Sequence, residues 1–118
     1  MPVSMKAERV DRDLLERGWA ALVDTARSGN TICYGELARA VGLPGKQRMI
    51  HRIVVSPLCS LVCHPNGYPD IASLVVRKDT GEPGDGWWGA TGGHRVAQMW
   101  LDELALVHAF DWPASLPI

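Results

Sequence analysis

The sequence predicts a mainly helical α+β domain built around a helix-turn-helix, with a short strand and a C-terminal helix. Three observations predict it. Apolar residues recur at three- and four-residue steps in stretches near both ends of the chain. Two short helical stretches are split by the turn Gly42-Leu-Pro-Gly45. One run, Ile71-Ala-Ser-Leu-Val-Val-Arg77, is rich in β-branched residues and has the character of a buried strand.

The elements follow in order. Leu14, Leu15, Trp19, Leu22, Val23 and Ala26 predict a first helix over residues 10–28, stopped at Ser28-Gly29-Asn30. A short extended segment, Thr31-Ile-Cys33, leads into a second helix from Tyr34 to Val41, with Glu36 in the first turn to suit the helix dipole. A third helix starts near Lys46 and runs to Ser56, where Pro57 closes it. Residues 57–64 suggest a short helix, and Pro65-Asn-Gly-Tyr-Pro69 a turn. After the strand, Asp79-Thr-Gly-Glu-Pro-Gly-Asp-Gly86 reads as a loop. Trp87 and Trp88 follow; on an extended loop they point in opposite directions, one to the core and one outward. The last helix covers His94 to Ala109, with Val96, Met99, Trp100, Leu104 and Val107 inward.

The 118 residues suit a single domain spanning 1–118. Such a domain buries roughly 65% of its unfolded surface, enough for a core without staples. The formal net charge is −1, so no global basic field exists, but the charge is unevenly placed. Residues 30–60 carry Arg39, Lys46, Arg48 and Arg52 against Glu36 alone, a net +3. Residues 61–118 carry Arg77, Lys78 and Arg95 against seven acids, a net −4. Three cysteines, a charged N-terminal stretch and no apolar run of about 18 residues suggest a cytoplasmic protein with free thiols and no membrane segment. Cys59, Cys63 and His64 lack the paired spacing of a structural zinc site, so no metal or other cofactor is expected.

The stretch Thr31-Ile-Cys-Tyr-Gly-Glu-Leu-Ala-Arg-Ala-Val-Gly-Leu-Pro-Gly-Lys-Gln-Arg48 carries the most chemical meaning. A helix-turn-helix whose second helix opens on Lys46, Gln47, Arg48 and Arg52 aims a basic end outward, as DNA-groove readers do. These residues, in order along the chain, resemble the DNA-binding domain of alkylguanine DNA alkyltransferases and of the alkyltransferase-like proteins that lack the nucleophile. Asn30 to Ala38 is similar to that family's approach to the helix-turn-helix. Gly42-x-Pro44-x-x-x-Arg48 is similar to its turn and recognition-helix arginine. Leu74-Val-Val-Arg-Lys-x-x-Gly81, Gly86-Trp-Trp, Gly92-Gly93 and Trp100-Leu-x-x-Glu103 are similar to its later strand, loop and end helix. The resemblance covers about residues 16–108.

The resemblance breaks at the family's Pro-Cys-His-Arg motif. Its positions hold Ile71, Ala72, Ser73 and Leu74. A thiolate acceptor needs a neighbouring base or cation, and this register supplies neither thiol nor partner, so no catalytic residue is expected. A rival register puts Cys63-His64 at the motif, 15 residues after Arg48 rather than 24, but Pro65 then stands where the family has arginine. The Ala72 register requires an insertion around residues 57–70. A similar layout also belongs to small bacterial proteins of unassigned role.

What the resemblance implies is a winged-helix-like domain that binds double-stranded DNA without enzymatic activity, in DNA repair or the sensing of modified bases. Arg48 would enter the base stack and hold the space of an extruded base. Tyr34 would touch the adjacent phosphate, and Lys46, Gln47 and Arg52 the backbone. The base pocket would lie near Ala72, Ser73, Trp87 and Trp88. Two alternatives stand beside this. One is a protein-interaction module, of inhibitor or immunity type in a phage or defence system, using the Trp87-Trp88 loop. The other is a thiol alkyl acceptor using Cys63.

Overall fold

The structure is a computed structural model, and it describes residues 2–84, 87, 88 and 97–118. Helix α1 spans Pro2–Arg27. It starts well before residue 10; a proline in the first turn has no N–H to lose there. Leu15, Trp19, Leu22, Val23 and Ala26 form its buried stripe, and Leu14 packs at the edge. Gly18 sits on the same stripe, where α1 crosses the third helix. A Cβ at Gly18 would stand 2.4 Å from Val54 Cγ1, so hydrogen is the only side chain that allows this approach.

Strand β1 is Ile32–Cys33, and α2 follows directly as Tyr34–Ala40. Glu36 Oε1 accepts the Cys33 N–H at 3.0 Å, occupying a donor that the first helical turn would leave open. Leu37 and Ala38 are buried. The turn after α2 uses Gly42 and Gly45, both at φ near +85°, where a β-carbon is strained. Arg17 Nη1 donates to Val41 O at 3.0 Å and pins this turn to α1.

Two expectations for the next stretch are corrected. Residues 47–49 form turns, and helical structure begins only at residues 50–51. Pro57 does not close it. His51–Val55, Ser56–Leu58, Cys59–Cys63 and His64–Asn66 run on without a break as one helix, α3, over residues 51–66. Two stretches of i→i+5 bonding let it pass its prolines. The residue before each proline bonds five back: Ser56 N–H to His51 O, and His64 N–H to Cys59 O. A wider turn leaves room for a ring that would clash with an α-helical carbonyl. The gain is a continuous apolar face: Val54, Val55, Leu58, Val62 and Cys63 are fully buried. The stretch around 57–70 is therefore the second half of α3 and its exit turn, ended by Gly67 at φ +67°.

The strand expected over 71–77 is also shorter. Asp70 Oδ1 accepts the Ala72 N–H at 3.0 Å and starts a 3₁₀ turn, Ile71–Leu74, so that only Val75–Val76 remains as β2. β2 pairs with β1 in parallel, with Ile32 opposite Val75 and Cys33 opposite Val76. Helix α4 is Ala97–Ala109. Val107 is buried and Trp100 and Leu104 pack against the core, whereas Met99 is exposed rather than inward. Val96, His94, Gly86 and the Gly92-Gly93 pair lie outside the described residues.

After α4 the chain returns across α1. Trp112 stacks edge-on against Trp19 at 5.6 Å and against Phe110 at 4.6 Å, and Trp19 Nε1 donates to Pro113 O at 2.9 Å. The described residues thus make a mainly helical α+β domain with one apolar core. No helix among them is long and apolar enough to cross a membrane.

Candidate nucleic-acid interface

The parallel pairing of β1 and β2 decides where the chemistry collects. The chain leaves β1 into α2 at Tyr34 and leaves β2 at Arg77, so the two exits lie side by side. Between them opens a groove of about 990 Å³. One wall is α2, the turn before α3 and the first residue of α3, with Tyr34, Arg39, Gln47, Arg48 and His51. The other wall is Arg77, Lys78, Asp79 and Gly84, and Cys33 and Glu36 also line the space. Arg39, Arg48, Arg77 and Lys78 stand against Glu36 and Asp79, leaving the lining net positive.

Local bonds hold these groups in place. Arg77 grips Asp79 with two parallel bonds, Nε to Oδ1 at 3.1 Å and Nη2 to Oδ2 at 2.8 Å. Tyr34 Oη accepts the Gly84 N–H at 3.2 Å and joins one wall to the other. The Cys33 N–H holds the Glu36 carboxylate below its usual range, with Arg39 and Lys78 adding to the effect. Burial and the neighbouring Glu36 push the Cys33 thiol up, so it is protonated at neutral pH and a poor nucleophile. His51 is half-buried, and burial lowers its pKa despite the opposing pull of Asp70.

The groove unites Tyr34, Gln47 and Arg48 of the sequence-derived set. Lys46 and Arg52 are exposed but do not line it. Ala72, Ser73, Trp87 and Trp88 lie in the core instead. Trp87 Nε1 donates to Ser73 Oγ at 3.2 Å, Trp88 Nε1 donates to Pro83 O at 3.1 Å, and the two rings meet edge to face at 5.1 Å. Both rings are buried, so neither points outward as an extended loop would require. Cys63 is fully buried, and Cys59 Sγ donates to Asp70 Oδ1 at 3.2 Å. The hydrogen bond to Cys63, burial and the Asp70 carboxylate all push the Cys59 thiol up. His64 on the same helix is exposed, so it does not converge with these two thiols.

Sequence reasoning missed Arg39, His51, Arg77 and Lys78. Arg77-Lys78 had a signal: two cations directly after an apolar strand. Their pairing with the α2 side depends on the β1–β2 register, which leaves no local trace. No family model, curated protein or solved structure matches this chain.

Proposed function

We propose that this chain is a non-enzymatic, double-stranded-DNA-binding protein of alkyltransferase-like type, docking through a winged-helix-like face. The groove carries this reading. It gathers Arg48 of the turn before α3 with Arg39 and the Arg77-Lys78 pair from two other points of the chain. A cationic cleft on a protein of net charge −1 suits a modest phosphate footprint. Three unpaired cysteines suit a reducing cytoplasm. Sensing of modified or distorted bases would rest on Arg48 entering the duplex.

Fluorescence anisotropy on a labelled duplex tests the reading. With three to five phosphate contacts, log K should fall against log salt with a slope of roughly −3 to −4.5. Intact mass should stay unchanged after incubation with alkylated DNA. Absence of binding at low salt refutes the DNA reading, and an alkyl adduct on Cys33 or Cys63 makes the protein an enzyme.

A further inference from the structure

We propose that the turn after β2 is the second grip on a phosphodiester backbone, with Lys78 as its contact and the Tyr34–Gly84 contact as the spacer that sets the groove's width. This rests on the duplex-binding reading and adds a wall that the helix-turn-helix alone does not have.

The turn is a built structure rather than a loose loop. Arg77 N–H donates to Glu82 O and Gly81 N–H to Arg77 O, both at 2.8 Å, which closes it. Its far end is fastened to the core: Trp88 Nε1 holds Pro83 O, and the Trp87 N–H donates to Gly84 O at 3.1 Å. The buried tryptophan pair therefore anchors this wall. Of the two cations on it, Arg77 is matched in charge by the Asp79 fork. Lys78 is exposed and faces the groove, opposite the Arg48 side. A cation on each wall suits a strand of phosphates lying between them.

The width is set where the walls touch. A Cβ at Gly84 would stand 2.9 Å from Tyr34 Oη and 3.5 Å from its Cζ. Glycine is therefore the residue that lets the second wall come this close. Adding a methyl group forces the Tyr34 hydroxyl away from the second wall and breaks the contact between the walls; removing the hydroxyl makes room for that methyl.

The experiment measures anisotropy with an unmodified labelled duplex across a salt series. It compares the intact chain with Lys78→Ala, Gly84→Ala, Tyr34→Phe and the double variant Tyr34→Phe/Gly84→Ala. Lys78 is an exposed turn residue, so its truncation leaves folding intact, and circular dichroism checks every variant. Lys78→Ala should weaken binding and reduce the salt slope by about 0.9. Gly84→Ala should weaken binding severalfold, and Tyr34→Phe should restore most of that loss, so the double variant binds like Tyr34→Phe alone. A general structural defect at residue 84 would not be rescued by losing one oxygen atom. If the intact chain binds and Lys78→Ala matches it in affinity and slope, the second grip is overturned while DNA binding stands. If Gly84→Ala binds like the intact chain, or is not rescued, the spacer is overturned. If the intact chain does not bind at low salt, the duplex reading falls and this inference falls with it.

Discussion

Gly18→Ala is expected to destabilise this protein, although alanine is the better helix former by about 1 kcal/mol. The reason is the crossing of α1 over α3. The added Cβ would lie 2.4 Å from Val54 Cγ1, more than an ångström inside the roughly 3.5–4.0 Å of normal carbon contact. Val54 is fully buried and β-branched, so it has no free rotamer into which to retreat. Overpacking of a tight core costs about 1–3 kcal/mol, and a contact this short belongs in the upper half of that range. Subtracting the propensity gain leaves a net loss of about 1–2 kcal/mol. For a domain of this size that is a fall of about 4–8 °C in melting temperature. The diagnostic comes from Val54→Ala, which removes Cγ1. Val54→Ala should itself cost about 2 kcal/mol through lost burial and the cavity left behind. In that background Gly18→Ala should become neutral or stabilising by up to about 1 kcal/mol. The coupling between the two sites is then about 2 kcal/mol, well outside additivity. Urea titration and thermal melts of the four species measure it. A raised midpoint for Gly18→Ala alone, or the same loss with and without Val54, would refute the close-crossing account.

Three further outcomes follow from other parts of the structure. Ser73→Ala strips the buried Trp87 indole N–H of its acceptor and should cost about 1–3 kcal/mol by denaturant midpoint; an unchanged midpoint would remove Ser73 from the core's hydrogen bonding. Arg48→Ala should weaken binding to base-modified or mismatched duplex more than to normal duplex, whereas Lys46→Ala, outside the groove, should weaken both alike; equal losses for Arg48→Ala on the two DNAs would discard base extrusion and leave a phosphate contact. The folded pKa of His51 is lowered by burial, so below its ordinary value near 6.5 the unfolded chain takes up the proton more readily, and stability falls as pH drops below that value. His51→Gln should flatten that slope in urea titrations between pH 7.5 and 5.5, and an unaltered slope would show that other groups set it.

Much of the fold was legible because the signals were local. The 3.6-residue stripe from Leu15 to Ala26, Gly42 and Gly45 around Pro44, and Glu36 one turn into α2 each act within a few residues. Local rules also misled. Pro57 is a stop signal in isolation, yet the apolar face from Val54 to Val62 gains enough from burial to carry the helix past it with a widened turn. Ile71 to Leu74 has strand composition, but the Asp70 side chain captures the Ala72 N–H and curls the segment. The paired tryptophans, open to either side on an extended loop, are both drawn into the core, where Ser73 Oγ and Pro83 O satisfy their N–H groups.

The sequence by itself determined the mainly helical α+β class, the succession of α2, a glycine-proline turn and α3, and the buried stripe of α1, since periodicity and turn residues are properties of contiguous chain, but it put Arg48 on the helix rather than in the turn before it. Tertiary structure alone decided that Arg77 and Lys78 face Tyr34 and Arg48 across one groove. That juxtaposition depends on two short strands, Ile32–Cys33 and Val75–Val76, pairing in parallel across more than 40 residues. Two-residue strands carry almost no pattern of their own. Their register is chosen by the burial of α1, α3 and the tryptophan pair around them, a long-range free energy that no short window of sequence contains.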